Sequence, residues 1–136
     1  MLFANRMNLT YITQEKPDYS WYKQAVATTH LGTLPKALFE TQRFVLAHTL
    51  VDTQPVGFAT YDIGVHELEL TRLRSLQTGT GQTLVRAVLD IASEYDSNRV
   101  IFHANSSAEL DFFKSCGFKQ RNEPNQFGLI EMEYRL

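Results

Sequence analysis

Two glycines one residue apart, in Gln77-Thr78-Gly79-Thr80-Gly81-Gln82, are the part of this sequence best suited to hold an anion. Leu84, Val85, Val88, Leu89 and Ala92 follow at helical spacing, so the glycines stand at the start of a helix. The first amides of a helix have no intrahelical acceptor, and the helix dipole favours negative charge there. Glycine lets a phosphate oxygen approach the backbone and permits positive φ. The hydroxyls of Thr78, Thr80 and Thr83 can add donors. A glycine turn that merely reverses the chain accounts for the same residues, and the loop by itself does not choose between the two. It is not a P-loop, because no lysine follows Gly81. Nor is it a dinucleotide fingerprint, because Leu84 stands where a third glycine belongs and the next strand ends in His103-Ala104-Asn105 without an acidic residue.

Candidate proton-transfer groups lie on either side of this loop in the sequence. Glu67 and Glu69 share one face of the alternating segment that leads into it. A partly buried carboxylate there can take a proton near neutrality, although solvent-facing strand residues have the same pattern. His103 ends a short apolar run and can act as a base, contact a substrate, or simply pack and hydrogen-bond. His30, His48, His66 and His103 have no ligand spacing between them, so no metal is expected. Cys116 is the single cysteine, which precludes an internal disulfide and reads as a small buried hydrophobe in a reducing compartment.

These groups must be held by a mixed α+β architecture. Asn8–Thr13 reads as a first strand. A helix follows from Asp18 or Ser20, with a stripe of Trp21, Tyr22, Ala25, Val26 and Thr29, and Gly32 after its end. A second short helix starts near Pro35 and runs to about Phe39. Arg43–Leu50, Val56–Ile63 and Val65–Leu73 form an antiparallel meander. In its last strand Leu68 and Leu70 point one way, and Glu67, Glu69 and Thr71 the other. The helix after the glycines runs to about Tyr95. Val100–Phe102 is a strand covered on both faces. A helix capped by Ser106 or Ser107 runs to about Ser115, Phe118 starts a strand, and Phe127–Tyr134 is the last one. A strand, helix, strand sequence in the middle implies one parallel crossover beside the meander.

Bulk composition excludes several classes. The 136 residues suit one domain, 1–136, and nine Phe, six Tyr and one Trp supply its core. A net charge of −2 argues against nucleic acid and anionic membranes as partners. No apolar run approaches the roughly 20 residues of a spanning helix. The N-terminus lacks a secretory pattern, so a cytoplasmic location is expected.

The motifs in this order resemble the GNAT superfamily of acyl-CoA N-acyltransferases. Three parts carry the resemblance: Val56-Gly57-Phe58-Ala59 on the middle meander strand; Leu73-Arg74-Ser75-Leu76 leading into Gly79-Thr80-Gly81-Gln82-Thr83-Leu84-Val85; and Asn105, Ala108, Phe112-Phe113 and Gly117-Phe118 after a short apolar strand. The resemblance implies a sheet of six to seven strands flanked by about four helices, with acetyl-CoA in a V-shaped gap between the fourth and fifth strands. The pantetheine arm would pair with backbone around Leu70–Leu73, and the pyrophosphate would sit on the amides of Gln77–Gln82. Asn105 would help hold the arm, and Phe113 would lie beside it. Glu69, and next to it Glu67, would be the base that deprotonates an attacking amine. Trp21, Tyr22 and His103 would line the acceptor site, for an amine on a small molecule or a peptide. Edge strands near the C-terminus can support a homodimer, as in many relatives.

The sequence departs from that family at two places. Leu76 stands where an Arg or Gln usually donates to the coenzyme, in a connection about two residues shorter than usual. Phe113 stands where many members have the tyrosine that protonates the leaving thiolate. A non-catalytic acyl-CoA-binding domain on the same fold is therefore the alternative reading.

Overall fold

A computed structural model describes residues 9–27 and 32–136. Thr29 and His30 of the expected first helix, and Asn8 of the expected first strand, lie outside the described residues. The chain runs β1 (Thr10–Thr13), α1 (Tyr19–Val26), α2 (Lys36–Thr41), β2 (Arg43–Thr49), β3 (Pro55–Ile63), β4 (Glu67–Ser75), α3 (Thr80–Glu94), β5 (Arg99–Ala104), α4 (Ser107–Ser115), β6 (Lys119–Gln120) and β7 (Ile130–Arg135). Seven strands form one sheet in the order β1-β2-β3-β4-β5-β7-β6. Only the β4–β5 pair is parallel, and α3 is the crossover between them. This is the element order and mixed architecture expected from the sequence, with four helices among the described residues.

Each face of the sheet has its own core. On one side Leu84, Val85, Val88 and Ile91 of α3 and Phe113 of α4 pack on Leu68, Leu70, Val100, Phe102 and Met132. On the other, Tyr22, Ala25 and Val26 of α1 and Phe39 of α2 cover Phe44, Leu46 and Phe58. Truncating such buried aliphatics or aromatics to alanine costs about 2–5 kcal/mol each, so both cores hold the strands that carry the site. The second core covers β2 and β3. The same face of β4, β5 and β7 instead presents Glu67, Glu69, Arg99, His103, Glu131 and Glu133.

Two elements end elsewhere than the residue pattern suggests. The last strand starts at Ile130, not Phe127, because Asn125 Oδ1 accepts the amides of Phe127 and Leu129 and ties those residues into a turn. At the other site, β4 continues past Leu73 to Ser75, and even Leu76 N–H donates to Val56 C=O at 2.8 Å. The connection to α3 is thereby reduced to a few residues.

A bulge in β4 decides where the sheet opens. Thr60 faces Arg72 and Tyr61 faces Leu70, so Thr71 is an extra residue without a partner on β3. Its hydroxyl lies 2.7 Å from that of Thr60 instead. An extra residue bends its strand and raises the local twist. It also shifts the alternation: Leu73 packs on the same cluster as Leu68 and Leu70, where strict alternation would place it with Glu67 and Glu69. The parallel pairing ends just before this point. It joins Glu67–Glu69 to Arg99–Ile101, after which β4 runs on to Ser75 and β5 to Ala104 unpaired with each other.

Candidate functional site

The glycine loop builds an open groove at the far end of β4. Gly79 caps α3 with φ of 87°, a conformation that a side chain rarely tolerates. Thr80 N–H donates back to Gln77 C=O at 3.1 Å, which closes the turn, and Thr83 N–H reaches Gly79 C=O at 3.4 Å. Gly81 and Gln82 therefore occupy the first turn, where the helix supplies no acceptor for their amides. The groove, of about 540 Å³, is lined by Ser75, Leu76, Gln77, Thr78, Gly79, Gly81, Gln82 and Phe112. A Cβ on Gly81 would stand 3.1 Å from Phe112 Cζ, so glycine keeps this wall open.

Thr80 does not face the groove. It is 2% exposed, and its methyl lies against the position of Gly57. Of the three threonines expected to donate, this buried one is absent from the groove lining. Thr83 is also engaged, its hydroxyl donating to Gly79 C=O at 3.2 Å. The site is a backbone site, with Ser75, Gln77, Thr78 and Gln82 as its polar side chains, and the Ser75 hydroxyl donates to Gln77 C=O at 2.7 Å.

Between the parted strands lies a second cavity of about 240 Å³, lined by Thr71, Arg72, Leu73, Phe102, His103, Asn105, Glu109 and Leu129. Leu73, His103 and Asn105 are thus brought together, as the sequence suggested. Asn105 is held through its backbone: its N–H donates to Glu109 Oε1 at 2.8 Å, while Ser106 Oγ accepts Glu109 N–H at 3.1 Å. This reciprocal cap fixes the start of α4 at the mouth of the gap. Arg72 donates to Gly32 C=O at 2.8 Å and Arg74 to Ala25 C=O at 2.9 Å, tying β4 to the last turn of α1 and to the chain beyond it.

Glu69 and His103 stand at the apex, one on each strand. Glu69 is the last residue of β4 paired with β5, and its Oε2 lies 3.4 Å from His103 Nδ1. Glu67, two pairs back, is bound to Arg99 at 3.2 Å and lies deeper along the paired strands. Arg99 also meets Glu133 at 3.1 Å. Burial lowers the Arg99 pKa, but its hydrogen bond to Glu67 and the charges of Glu67, Glu133 and Glu131 more than offset this, so the guanidinium stays above its ordinary value. Glu67 is therefore a structural ion-pair partner, and Glu69 is the carboxylate next to the gap.

Three residues predicted for the site are placed in the cores. Tyr22 is fully buried among Phe39, Phe44 and Phe58, with its hydroxyl accepting Leu34 N–H at 3.3 Å, so it cannot touch an acceptor. Trp21 packs edge-on against Phe58 and joins the same core at its border. Phe113 is 1% exposed, stacked on Phe102 at 4.0 Å and flanked by Phe112 and Phe118. The helical phase of α4 turns its neighbour Phe112 to the groove instead. Two other donors considered from the sequence also lie away from the gap. Tyr134 packs on Phe118 opposite Val100, near the start of β5. Cys116 lines a separate cavity beside Arg86 and Leu89, where burial pushes its thiol up against the smaller opposing effects of Ser115 and Arg86. Phe112, Glu109 and Arg72 are site residues that the sequence reading missed. Phe112 carried a signal, since it lies next to Phe113 in the motif; the others depend on register. Among the described residues no group of acidic, histidine or cysteine side chains could hold a metal, and no helix is long and apolar enough to cross a membrane.

No protein-family model matches the sequence, and no curated protein is significantly similar to it. Solved structures do match. N-acetylglutamate synthase from Neisseria gonorrhoeae, complexed with coenzyme A and N-acetyl-glutamate, superposes with a TM-score of 0.79 at 15% identity, over 94% of this chain. The chain has the GNAT fold. It spans 35% of the length of that synthase. It spans nearly all of a GNAT family acetyltransferase from Elizabethkingia anophelis with acetyl-CoA bound, matching with a TM-score of 0.71 and 14% identity over 93% of this chain and 98% of that one. The ribosomal-protein-S18-alanine N-acetyltransferase of Escherichia coli matches with a TM-score of 0.74 and 15% identity, over 93% of this chain and 94% of that one. The sequence motifs and the spatial match thus lead to one fold.

Proposed function

We propose that this chain binds acetyl-CoA and transfers its acyl group to an amine by direct attack. The observation that carries the proposal is the alignment of two features on one strand: β4 parts from β5 after Glu69 and ends at the glycine groove. A ligand with an extended arm and a diphosphate fits such a site. The unpaired edge of β4 around Leu70–Leu73 offers backbone groups to the arm, and the first turn of α3 offers amides to the diphosphate. Leu73 and Asn105 flank the arm, and Gln77, Thr78 and Gln82 the phosphates. The coenzyme supplies the activated acyl group as a thioester.

The chain's own residues then handle the proton. Glu69, at the apex of the gap, accepts the proton that the attacking amine must lose, directly or through one water. The acceptor is an amine carried by a small molecule or a peptide. Proteins similar to this one, the N-acetylglutamate synthase and the ribosomal-protein-alanine acetyltransferase, represent both kinds. Phe113 favours a second reading, a non-catalytic acyl-CoA-binding domain, because no hydroxyl stands at that position.

Two measurements separate these readings. Acetyl-CoA is expected to raise the melting temperature, as a ligand that binds only the folded state does; no shift at millimolar coenzyme would remove both. Thiol release with a panel of amines is expected for the transferase. Coenzyme binding without turnover on any amine would leave the binding domain.

A further inference from the structure

Beyond that reading, and resting on it, we propose that Glu131 positions His103 and that the two carry the acceptor's proton from Glu69 to the open face of the sheet. The strands place these three side chains in a row. His103 and Glu131 are directly opposed on the antiparallel β5–β7 pair, and Glu69 is diagonal to His103 across the parallel pair. All three project from the charged face of the sheet, where cross-strand neighbours meet.

The imidazole is bracketed at both nitrogens. Nδ1 lies 3.4 Å from Glu69 Oε2, and Nε2 lies 3.7 Å from Glu131 Oε1. A neutral imidazole accepts at one nitrogen and donates from the other, so a carboxylate at each end suits it to pass a proton through. Both separations exceed hydrogen-bond length, and catalytic hydrogen bonds commonly tighten once substrate is bound. Glu131 is held from behind: its Oε2 accepts from Arg121 Nη1 at 3.2 Å and lies 3.9 Å from Arg99. That leaves Oε1 for His103. Glu109 and Arg72 are the other charged groups lining the same gap. Arg99 of β5 and Arg121, which follows β6, are the cations ion-paired with Glu131.

The steps balance as one proton moved. The acceptor's N–H bond breaks and an O–H bond forms on Glu69. That proton passes to His103 Nδ1 as the Nε2 proton passes to Glu131, which releases it to water. The ring, one-third exposed, recovers its first tautomer by exchange with solvent. A Glu69 that returned its proton straight to bulk water would need neither partner.

The test is steady-state thiol release from acetyl-CoA with an accepted amine, for His103→Gln and Glu131→Gln, with the acetyl-CoA thermal shift measured alongside. We expect His103→Gln to lower kcat by roughly a hundredfold, the lower end of what a positioned proton-transfer group contributes, and Glu131→Gln by less. The thermal shift stays unchanged in both. Added imidazole at fixed pH restores kcat of His103→Gln in proportion to its concentration. Either variant keeping the kcat of the unsubstituted chain overturns the proposal, and so does a loss in His103→Gln that imidazole does not restore while the shift persists, because a structural role predicts that result. If the unsubstituted chain itself shows no shift or no turnover, the acyl-transfer reading fails first and the relay falls with it.

Discussion

Substituting Gly81 by Asp tests the coenzyme assignment at its narrowest point. Gly81 lies in the first turn of α3 and lines the groove, with Phe112 on its far side. For 136 residues, an unfolding entropy of about 2.1 cal/mol/K per residue amounts to about 0.29 kcal/mol/K. Acetyl-CoA at a hundred times its Kd stabilises by about 2.7 kcal/mol, which raises Tm by about 9 °C on that slope. A carboxylate about 4 Å from a phosphate oxygen costs between about 1 kcal/mol in water and about 4 kcal/mol near a protein surface. Taking about 2.7 kcal/mol, Kd rises a hundredfold and the shift falls to about 1.4 °C at the same coenzyme concentration. The folded chain tolerates the change, since an acidic residue in a first helical turn is worth about 0.3–1 kcal/mol in its favour. Gly81→Ala is the control: its methyl meets Phe112 Cζ at 3.1 Å but brings no charge, so it keeps most of the shift. The assay is differential scanning fluorimetry over an acetyl-CoA titration. An Asp variant that keeps the full 9 °C shift (about that of the parent chain) places the phosphates elsewhere and refutes the reasoning.

Gly57→Ala is expected to lower Tm by about 3–10 °C, because overpacking costs about 1–3 kcal/mol and the new Cβ would lie 2.8 Å from the Arg74 carbonyl, a backbone atom that cannot turn aside. Thermal unfolding without ligand measures it. Phe113→Tyr puts a hydroxyl into the stack with Phe102, where an unpaired buried hydroxyl costs about 1–3 kcal/mol. Thiol release should not rise, and an increase would show that this position does reach the thiolate. Tyr61 has its phenol raised above 10.0, chiefly by burial and then by Tyr95. Its contribution to stability is whole below about pH 10 and is lost as pH rises through the higher folded value, so Tyr61→Phe should flatten the alkaline fall of stability in a urea-unfolding series.

The element order and the loop were legible because both rest on local signals. Helical spacing after Gly81, alternation through Leu68 and Leu70, and the Ser106 cap each depend on residues within a turn or two of one another. The errors came from contacts between elements. Alternation alone places Leu73 beside Glu69; the bulge at Thr71 that moves it is set by pairing with β3. Trp21 and Tyr22 sat on one helical stripe, but only the aromatic cluster of α2, β2 and β3 shows that Tyr22 has no exposed face. Phe112 and Phe113 are adjacent in sequence, and the phase of α4 against β5 decides which one meets the groove. Glu131 carried no local signal. Its role follows from the β5–β7 register, a pairing between residues far apart along the chain.

Phe113 and Glu69 bear unequally on whether the chain turns over. A thiol with a pKa near 8.5 lies about one unit from ionisation at pH 7.5, so protonating the departing thiolate is worth only about 1.4 kcal/mol. An alkylammonium near 10.4 lies about three units from its neutral form, and removing its proton costs about 4 kcal/mol. Losing the acid is therefore the smaller handicap, and a site with a base but no tyrosine can still work. The same arithmetic gives the base a signature. As pH rises towards 10, the amine sheds its own proton and Glu69 becomes dispensable, so the defect of Glu69→Gln in kcat/KM should shrink with increasing pH. A defect of constant size across that range would mean that Glu69 binds or positions the acceptor and takes no proton. Glu67→Gln, whose parent carboxylate is committed to Arg99, should show no such trend.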